Sequence, residues 1–174
     1  NRAKAAYQVC CYYYGIECVG KSDFANADKY LSIASDASQD KKMASSATFW
    51  LAESKYKQKR YGDAINGYEA YKNLPNTETN DYSMANYGIA WANFELKQYK
   101  YAAMFFEQYL KNAPNDIYRK ADAYLRMGDS YFIQKDYKKS NKSYIKVVDL
   151  NYIEQDYAFY QIAEGDYRQQ KYEN

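Results

Sequence analysis

Apolar and polar positions alternate along this chain with a period of three to four residues, broken at short polar clusters. That period places the apolar residues of each segment on one face of a helix. The spacing predicts helices over 2–20, 24–36, 43–58, 61–73, 82–97, 99–112, 117–134, 137–150 and 154–170. On the first, Ala3, Ala6, Tyr7, Cys10, Tyr14, Gly15 and Cys18 form the expected packed face. Ser22-Asp23 is the expected N-cap of the second helix, because a short side-chain oxygen there accepts from an unpaired backbone N–H. Ser35 to Lys42 is polar and predicted as a loop or frayed extension, and Leu74 to Asp81, rich in Asn and Thr, is the clearest loop. Pro114-Asn115-Asp116 ends one helix and caps the next. The two prolines, Pro75 and Pro114, both fall outside the predicted helix interiors, where proline would break the hydrogen-bond ladder.

The helices repeat in pairs. Small residues in the odd-numbered helices stand at Gly15, Ala52, Ala90, Gly128 and Ala163, spaced by 37, 38, 38 and 35 residues. Twelve residues after the first four comes a second small residue: Ala27, Ala64, Ala102 and Ser140. This inner gap is constant, so the slack in the period lies between units. An aromatic stands three residues before each second small residue, at Phe24, Tyr61, Tyr99 and Tyr137, with Tyr172 in the equivalent place of a fifth unit. Four residues after it comes a large one: Leu31, Tyr68, Phe106 and Tyr144. A small residue at a helix crossing lets two backbones approach, and a large side chain one turn away fills the space beside it. A single hairpin cannot bury its apolar face, whereas stacked neighbours can.

These residues resemble the tetratricopeptide-repeat family, whose pattern is W-x2-L-G-x2-Y, then A-x3-F, then P. Tyr124-x2-Met127-Gly128-x2-Tyr131 with Ser140-x3-Tyr144 matches its first two parts. Asn86-x2-Ile89-Ala90 with Ala102-x3-Phe106 and Pro114 completes it best. The resemblance implies an all-α fold, a right-handed α-solenoid of stacked antiparallel helix hairpins. It implies one array over 1–174, with units near 2–36, 43–73, 82–112 and 117–150 and a partial fifth over 154–174. The chain also departs from the pattern. The family Trp position holds Cys11, Thr48, Asn86, Tyr124 and Phe159, and the period exceeds the family's ~34 residues. An extra Ala or Cys recurs at Cys10, Ala47, Ala85, Ala123 and Ala158. This long-period, Ala-rich form is similar to the repeats of bacterial cell-envelope tetratricopeptide proteins, which implies a bacterial cell-envelope or periplasmic location. The chain is expected to be a piece of something longer.

Composition narrows the function classes. Tyrosine is the outlier, with 24 among 174 residues; its stiff amphipathic ring fills a thin core while the hydroxyl reaches water. The net charge of +2 and the short runs Lys41-Lys42 and Lys138-Lys139 read as solvated surface, not the basic stripe that nucleic acid requires. No apolar run approaches the ~20 residues of a membrane helix. Cys10, Cys11 and Cys18 share the first helix. Cys11 and Cys18 are two turns apart, roughly 10 Å, beyond the ~7 Å limit of a disulfide. All three are expected as small buried or half-buried thiols. The chain has no histidine, no phosphate-binding glycine loop and no metal-ligand spacing, so neither catalysis, a cofactor nor a metal is expected. Glu53 with Lys57 is expected as a surface ion pair of little energetic weight.

What remains is a binding surface. In the family that this chain resembles, the first helix of each unit lines a concave face. By position this selects Tyr12, Ile16 and Val19; Phe49, Glu53 and Tyr56; Tyr87, Trp91 and Phe94; Leu125, Asp129 and Phe132; and Tyr160, Glu164 and Tyr167. The expectation is an aromatic groove with acidic points at Glu53, Asp129 and Glu164, suited to a peptide or protein partner. Trp91 and Phe94 are expected to stand outside the repeat's own packing rules, forming with Tyr87 one apolar strip. The basic clamp with which the family grips a C-terminal carboxylate wants Lys and Asn here and is absent. The alternative is a carbohydrate-binding module, with rings stacked on sugar faces and Glu53 and Asp129 accepting from hydroxyls. Phe159, Ile162 and Ala163 are expected to leave the last helix uncovered on one side, a route to self-association.

Overall fold

The computed structural model describes the backbone of residues 2–75 and 79–173, with the side chains of 2–75 and 82–169. Much of the loop expected over 74–81 and the side chain of Tyr172 lie outside these residues. The elements are α1 (Arg2–Gly20), α2 (Phe24–Asp36), α3 (Lys41–Lys57), α4 (Tyr61–Lys72), α5 (Thr79–Glu95), α6 (Tyr99–Lys111), α7 (Ile117–Ile133), α8 (Tyr137–Leu150) and α9 (Gln155–Glu173). No strand occurs among the described residues. The chain divides into two compact units, Asn1–Ala92 and Asn93–Asn174. In the first, α1 packs on α2 and α3, α2 on α3, and α3 on α4; in the second, α6 packs on α7, α7 on α8, and α8 on α9.

The crossing rule holds in both units. A Cβ built on Gly15 would lie 2.6 Å from Leu31 Cγ, and one on Gly128 would lie 2.7 Å from Tyr144 Cε1. Leu31, Tyr68, Phe106 and Tyr144 are all fully buried, as are Ala27, Ala64, Ala102 and Ser140. Gly15 and Gly128 thus make the holes that Leu31 and Tyr144 of the facing helices fill.

The constant inner gap has a backbone cause. Ser22, Lys59, Lys97 and Lys135, each five residues before the second small residue, have φ of 60°, 61°, 59° and 63°. Around each, the next residue's N–H reaches back five residues: Asp23 to Cys18 O at 2.9 Å, Arg60 to Lys55 O at 3.0 Å, Gln98 to Asn93 O at 2.8 Å and Asp136 to Tyr131 O at 3.0 Å. The left-handed residue itself donates three back, as in Lys59 to Tyr56 O at 2.8 Å and Lys135 to Phe132 O at 2.9 Å. This is the six-to-one and five-to-two pairing that closes a helix through a left-handed residue. The turn aromatic then packs on the ring five residues before it: Tyr56–Tyr61 at 5.5 Å, Phe94–Tyr99 at 5.5 Å and Phe132–Tyr137 at 5.3 Å between centroids. Phe94 therefore belongs to the repeat's packing rules, contrary to the expectation from sequence.

The buried face of α1 also differs from the predicted one. Gln8, Cys11, Gly15, Cys18 and Val19 are buried, whereas Ala3, Ala6, Tyr7, Cys10 and Tyr14 are exposed. The helix is rotated so that a polar residue points inward. Gln8 Nε2 donates to Ala34 O at 3.2 Å and Asp40 O at 2.9 Å, and its Oε1 accepts from Asp40 N at 2.9 Å. Gln8 satisfies the backbone of the α2–α3 connection, which would otherwise bury unpaired groups. Two further polar ties join neighbouring helices. Asp28 of α2 accepts from Ser54 Oγ at 2.8 Å, from Lys55 of α3 and from Gln58, the C-cap of α3. Burial pushes its carboxyl up, but these donors outweigh it and hold the pKa below the usual range. Asn141 Nδ2 of α8 donates to Asp166 Oδ1 of α9 at 2.6 Å.

Candidate functional site

In the first unit, α3, α4 and α5 enclose a cleft of about 230 Å³ lined by Glu53, Tyr56, Tyr68, Tyr87, Gly88 and Trp91. Its floor is the end of Tyr68, a fully buried ring on α4. The phenol donates to Glu53 Oε1 at 2.5 Å. Burial, then the neighbouring Glu53 charge, push the Tyr68 pKa far above its ordinary value, so the phenol stays a neutral donor. Gly88 makes room for this arrangement: a Cβ there would lie 2.5 Å from Tyr68 Cζ and 2.8 Å from its Oη. Glu53, expected as a surface ion pair, is therefore anchored by a buried tyrosine. Tyr56, Tyr87 and Trp91 are half-buried and supply aromatic walls.

In the second unit, the corresponding carboxylate is Asp129, also one residue past the small position. Tyr144 Oη donates to Asp129 Oδ1 at 2.8 Å, across the same fifteen-residue separation as Tyr68 and Glu53. Here Tyr157 also donates to Oδ1 at 2.9 Å, and Arg126 Nη1 lies 2.9 Å from Oδ2. Asp129 is only 8% exposed. Burial and the Asp129 charge raise the pKa values of both Tyr144 and Tyr157. Burial lowers the pKa of Arg126, but Asp129 and Asp122 overcome it, so the net shift is upward.

The remaining predicted residues divide by depth. Val19 and Leu125 are buried in core clusters, the latter with Tyr144, Val147 and Ala158, and so do not line a groove. Tyr12 and Ile16 pack partly against the first cluster, and Tyr12 meets Tyr13 edge-on at 5.1 Å. Phe49 leans on α4, 5.6 Å from Tyr68 and 5.3 Å from Tyr71. Phe132 is half-buried. Tyr160 and Tyr167 are open at 65% and 59% exposure. Glu164 is half-buried and accepts from Arg168 Nε at 2.7 Å. Cys10 is exposed, unlike the expectation, while Cys11 and Cys18 are buried and all three thiols are free.

Sequence reasoning had treated Tyr68 only as a packing residue, and had passed over Gly88, Arg126, Tyr157 and Arg168. The signal for Tyr68 was present: an acid just past the small residue and a tyrosine fifteen residues later occur twice, at Glu53–Tyr68 and Asp129–Tyr144. Among the described residues no helix is long and apolar enough to cross a membrane.

The tetratricopeptide-repeat family model matches residues 84–116. Solved structures of MamA are similar in fold. The crystal structure of MamA protein is 20% identical with a TM-score of 0.74, covering 92% of this chain and 81% of that chain. MamA 41-end from Desulfovibrio magneticus RS-1 is 19% identical with a TM-score of 0.75, covering 94% and 86%. The MamA RS-1 ArsTM double mutant is 19% identical with a TM-score of 0.72, covering 94% and 96%. At these identities the likeness establishes the fold. No curated protein sequence matches the chain.

Proposed function

We propose that this chain, a tetratricopeptide-repeat protein, is a non-enzymatic scaffold that holds a peptide segment of a protein partner in the first-unit cleft. The observation behind this reading is the combination in that cleft of Tyr56, Tyr87 and Trp91 around a carboxylate anchored by a buried tyrosine. Half-buried aromatics offer large contact area at low entropic cost, and such residues dominate the energy of protein interfaces. Glu53 adds a fixed polar point that sets the register of an extended chain. Tyr12, Phe49, Phe94, Phe132, Tyr160 and Glu164 are secondary contributors in this reading.

Selection of a displayed random-peptide library on the full chain tests it, with oligosaccharides as the contrast. Selected peptides should bind the wild type and lose at least tenfold in affinity against Trp91→Ala at unchanged helicity, the scale of one truncated hot spot. Peptides that bind Trp91→Ala equally, or oligosaccharides that compete for Trp91 where peptides do not, overturn it. A second surface lies on α9, where Phe159 and Tyr160 are 56% and 65% exposed. Large exposed rings favour association, and we assign this face to self-association. Sedimentation of the wild type against Phe159→Ser should show a concentration-dependent species only in the former.

A further inference from the structure

The outward face of α8 carries a charge pattern that its place in the repeat does not require. The exposed residues of this helix are Lys138, Lys139, Lys142, Ile145, Lys146 and Asp149. At the helical rotation per residue they share an arc of roughly 120°. The lysines therefore form one stripe, and Lys135 adds another in the turn before it. The other second helices are mixed in sign. Asp28, Lys29 and Asp36 lie on α2; Asp63, Glu69 and Lys72 on α4; Lys100, Glu107 and Lys111 on α6. The residues alone read Lys138-Lys139 as solvated surface, whereas the packed helix adds Lys142 and Lys146 to the same side. Lys139 pairs with Asp136 at 2.7 Å and Lys146 with Asp149 at 3.1 Å, both on the open surface, where such pairs are weak. Lys135, Lys138 and Lys142 form no ion pair among the described residues.

We propose that this face of α8 docks on an anionic lipid bilayer, with its lysines against headgroup phosphates and Ile145 among them. Lysine is a hydrated point charge on a flexible stem, which suits a diffuse anionic plane. Clustered lysines on a helix face are drawn to such a plane by its negative surface potential, over about a Debye length. Ile145, 45% exposed within the stripe, favours lipid over a purely ionic partner, because buried apolar area adds to the charge attraction at a bilayer interface. Nucleic acid fits less well. The two aromatics of α8, Tyr137 and Tyr144, are buried, so the stripe offers no ring for base stacking. It also has no arginine for bidentate contact to a base edge. Among the described residues no helix is long and apolar enough to cross a membrane, and this contact is one of adsorption to the surface.

Flotation of the full chain with vesicles at about 0.1 M salt tests this. The chain should float with vesicles of phosphatidylcholine containing about one-third phosphatidylglycerol, and stay behind with phosphatidylcholine alone. Lys138→Gln with Lys142→Gln should weaken binding at least about tenfold. Lys29→Gln with Lys100→Gln removes the same charge from α2 and α6 and should change binding less than about twofold. Ile145→Ser keeps the charge and should weaken binding about threefold. All five positions are exposed, and circular dichroism with the melting midpoint checks that each variant folds. A short DNA duplex and polyglutamate are titrated alongside at the same salt. Absence of flotation with the anionic vesicles, equal losses in the two double variants, or an Ile145→Ser variant that binds as wild type each overturns the proposal. Tighter binding to the duplex or to polyglutamate than to the vesicles, lost in Lys138→Gln with Lys142→Gln, assigns the stripe to nucleic acid or to an acidic polypeptide and overturns it as well.

Discussion

Glu53 in the first unit and Asp129 in the second occupy the same position of the repeat and accept the same hydrogen bond from a buried tyrosine fifteen residues later. Their surroundings set them apart. Asp129 takes a second phenol from Tyr157 and a guanidinium from Arg126 and is buried. Glu53 is half-buried and borders a cleft. The register of Arg126 is held in the earlier repeat by Trp50, and that of Tyr157 by Met84. One packing rule therefore yields an internal network in one place and an accessible carboxylate in another. The tyrosine fixes where the carboxylate sits, and the residues around it decide what it meets.

The largest test of this contrast is to remove each carboxylate. Asp129→Ala leaves Arg126, Tyr144 and Tyr157 without their shared acceptor, and should cost ~3–5 kcal/mol, the scale of a broken buried pair. Glu53→Ala leaves one buried phenol unpaired and should cost ~1–3 kcal/mol. Urea unfolding followed by circular dichroism measures both; equal costs would break the distinction between a closed and an open site.

Next in size are the glycines that admit the two tyrosine rings. A methyl at Gly128 meets Tyr144 at 2.7 Å, and one at Gly88 meets Tyr68 at 2.5 Å. In both cases a buried ring must move, so Gly128→Ala and Gly88→Ala should each destabilise by ~1–3 kcal/mol through overpacking. In Gly88→Ala the displaced ring also disturbs Glu53, and peptide binding should fall with stability. A Gly88→Ala variant of wild-type stability would show that Tyr68 is not held where the comparison requires.

Alkaline pH probes both tyrosines together. Their folded pKa values lie above the ordinary 10.0, through burial first and the adjacent carboxylate second. Stability from keeping them neutral is complete below pH ~10 and is lost as pH rises above it, because the unfolded phenols ionise first. The urea midpoint should decline above pH ~10 in wild type and more shallowly in Tyr68→Phe and Tyr144→Phe. Identical slopes in all three would remove the buried phenols as the cause.

The smallest effect concerns the turns, where both units are alike. Lys59, Lys97 and Lys135 adopt left-handed backbone, which costs an L-residue ~1–2 kcal/mol and glycine almost nothing. Glycine gives back part of that in unfolded-chain entropy. Each Lys→Gly change should therefore raise stability by ~0.5–1 kcal/mol. A loss at any one of them would mark that lysine side chain as a contact in its own right.

The helix limits, the paired repeat and the small-against-large crossings were legible in the residues alone. Each depends on spacings within one hairpin: a 3.6-residue period, a fixed twelve-residue gap and a proline or capping aspartate at a boundary. Such signals are local, and the helix boundaries fall within three residues of their predicted places. Four features needed the folded chain: the inward turn of Gln8, the enclosure of Asp129, the role of Phe94 against Tyr99, and the placement of Arg168 over Phe132 and Tyr137. A sequence pattern shows which residues share a face of a helix. It does not show which polar atoms a neighbouring helix brings to that face. A polar side chain can be buried only where such partners exist, and those here come from segments fifteen to thirty-two residues away. The architecture was written in local periodicity, while the accessible carboxylate and the enclosed one became distinguishable only once the helices were packed.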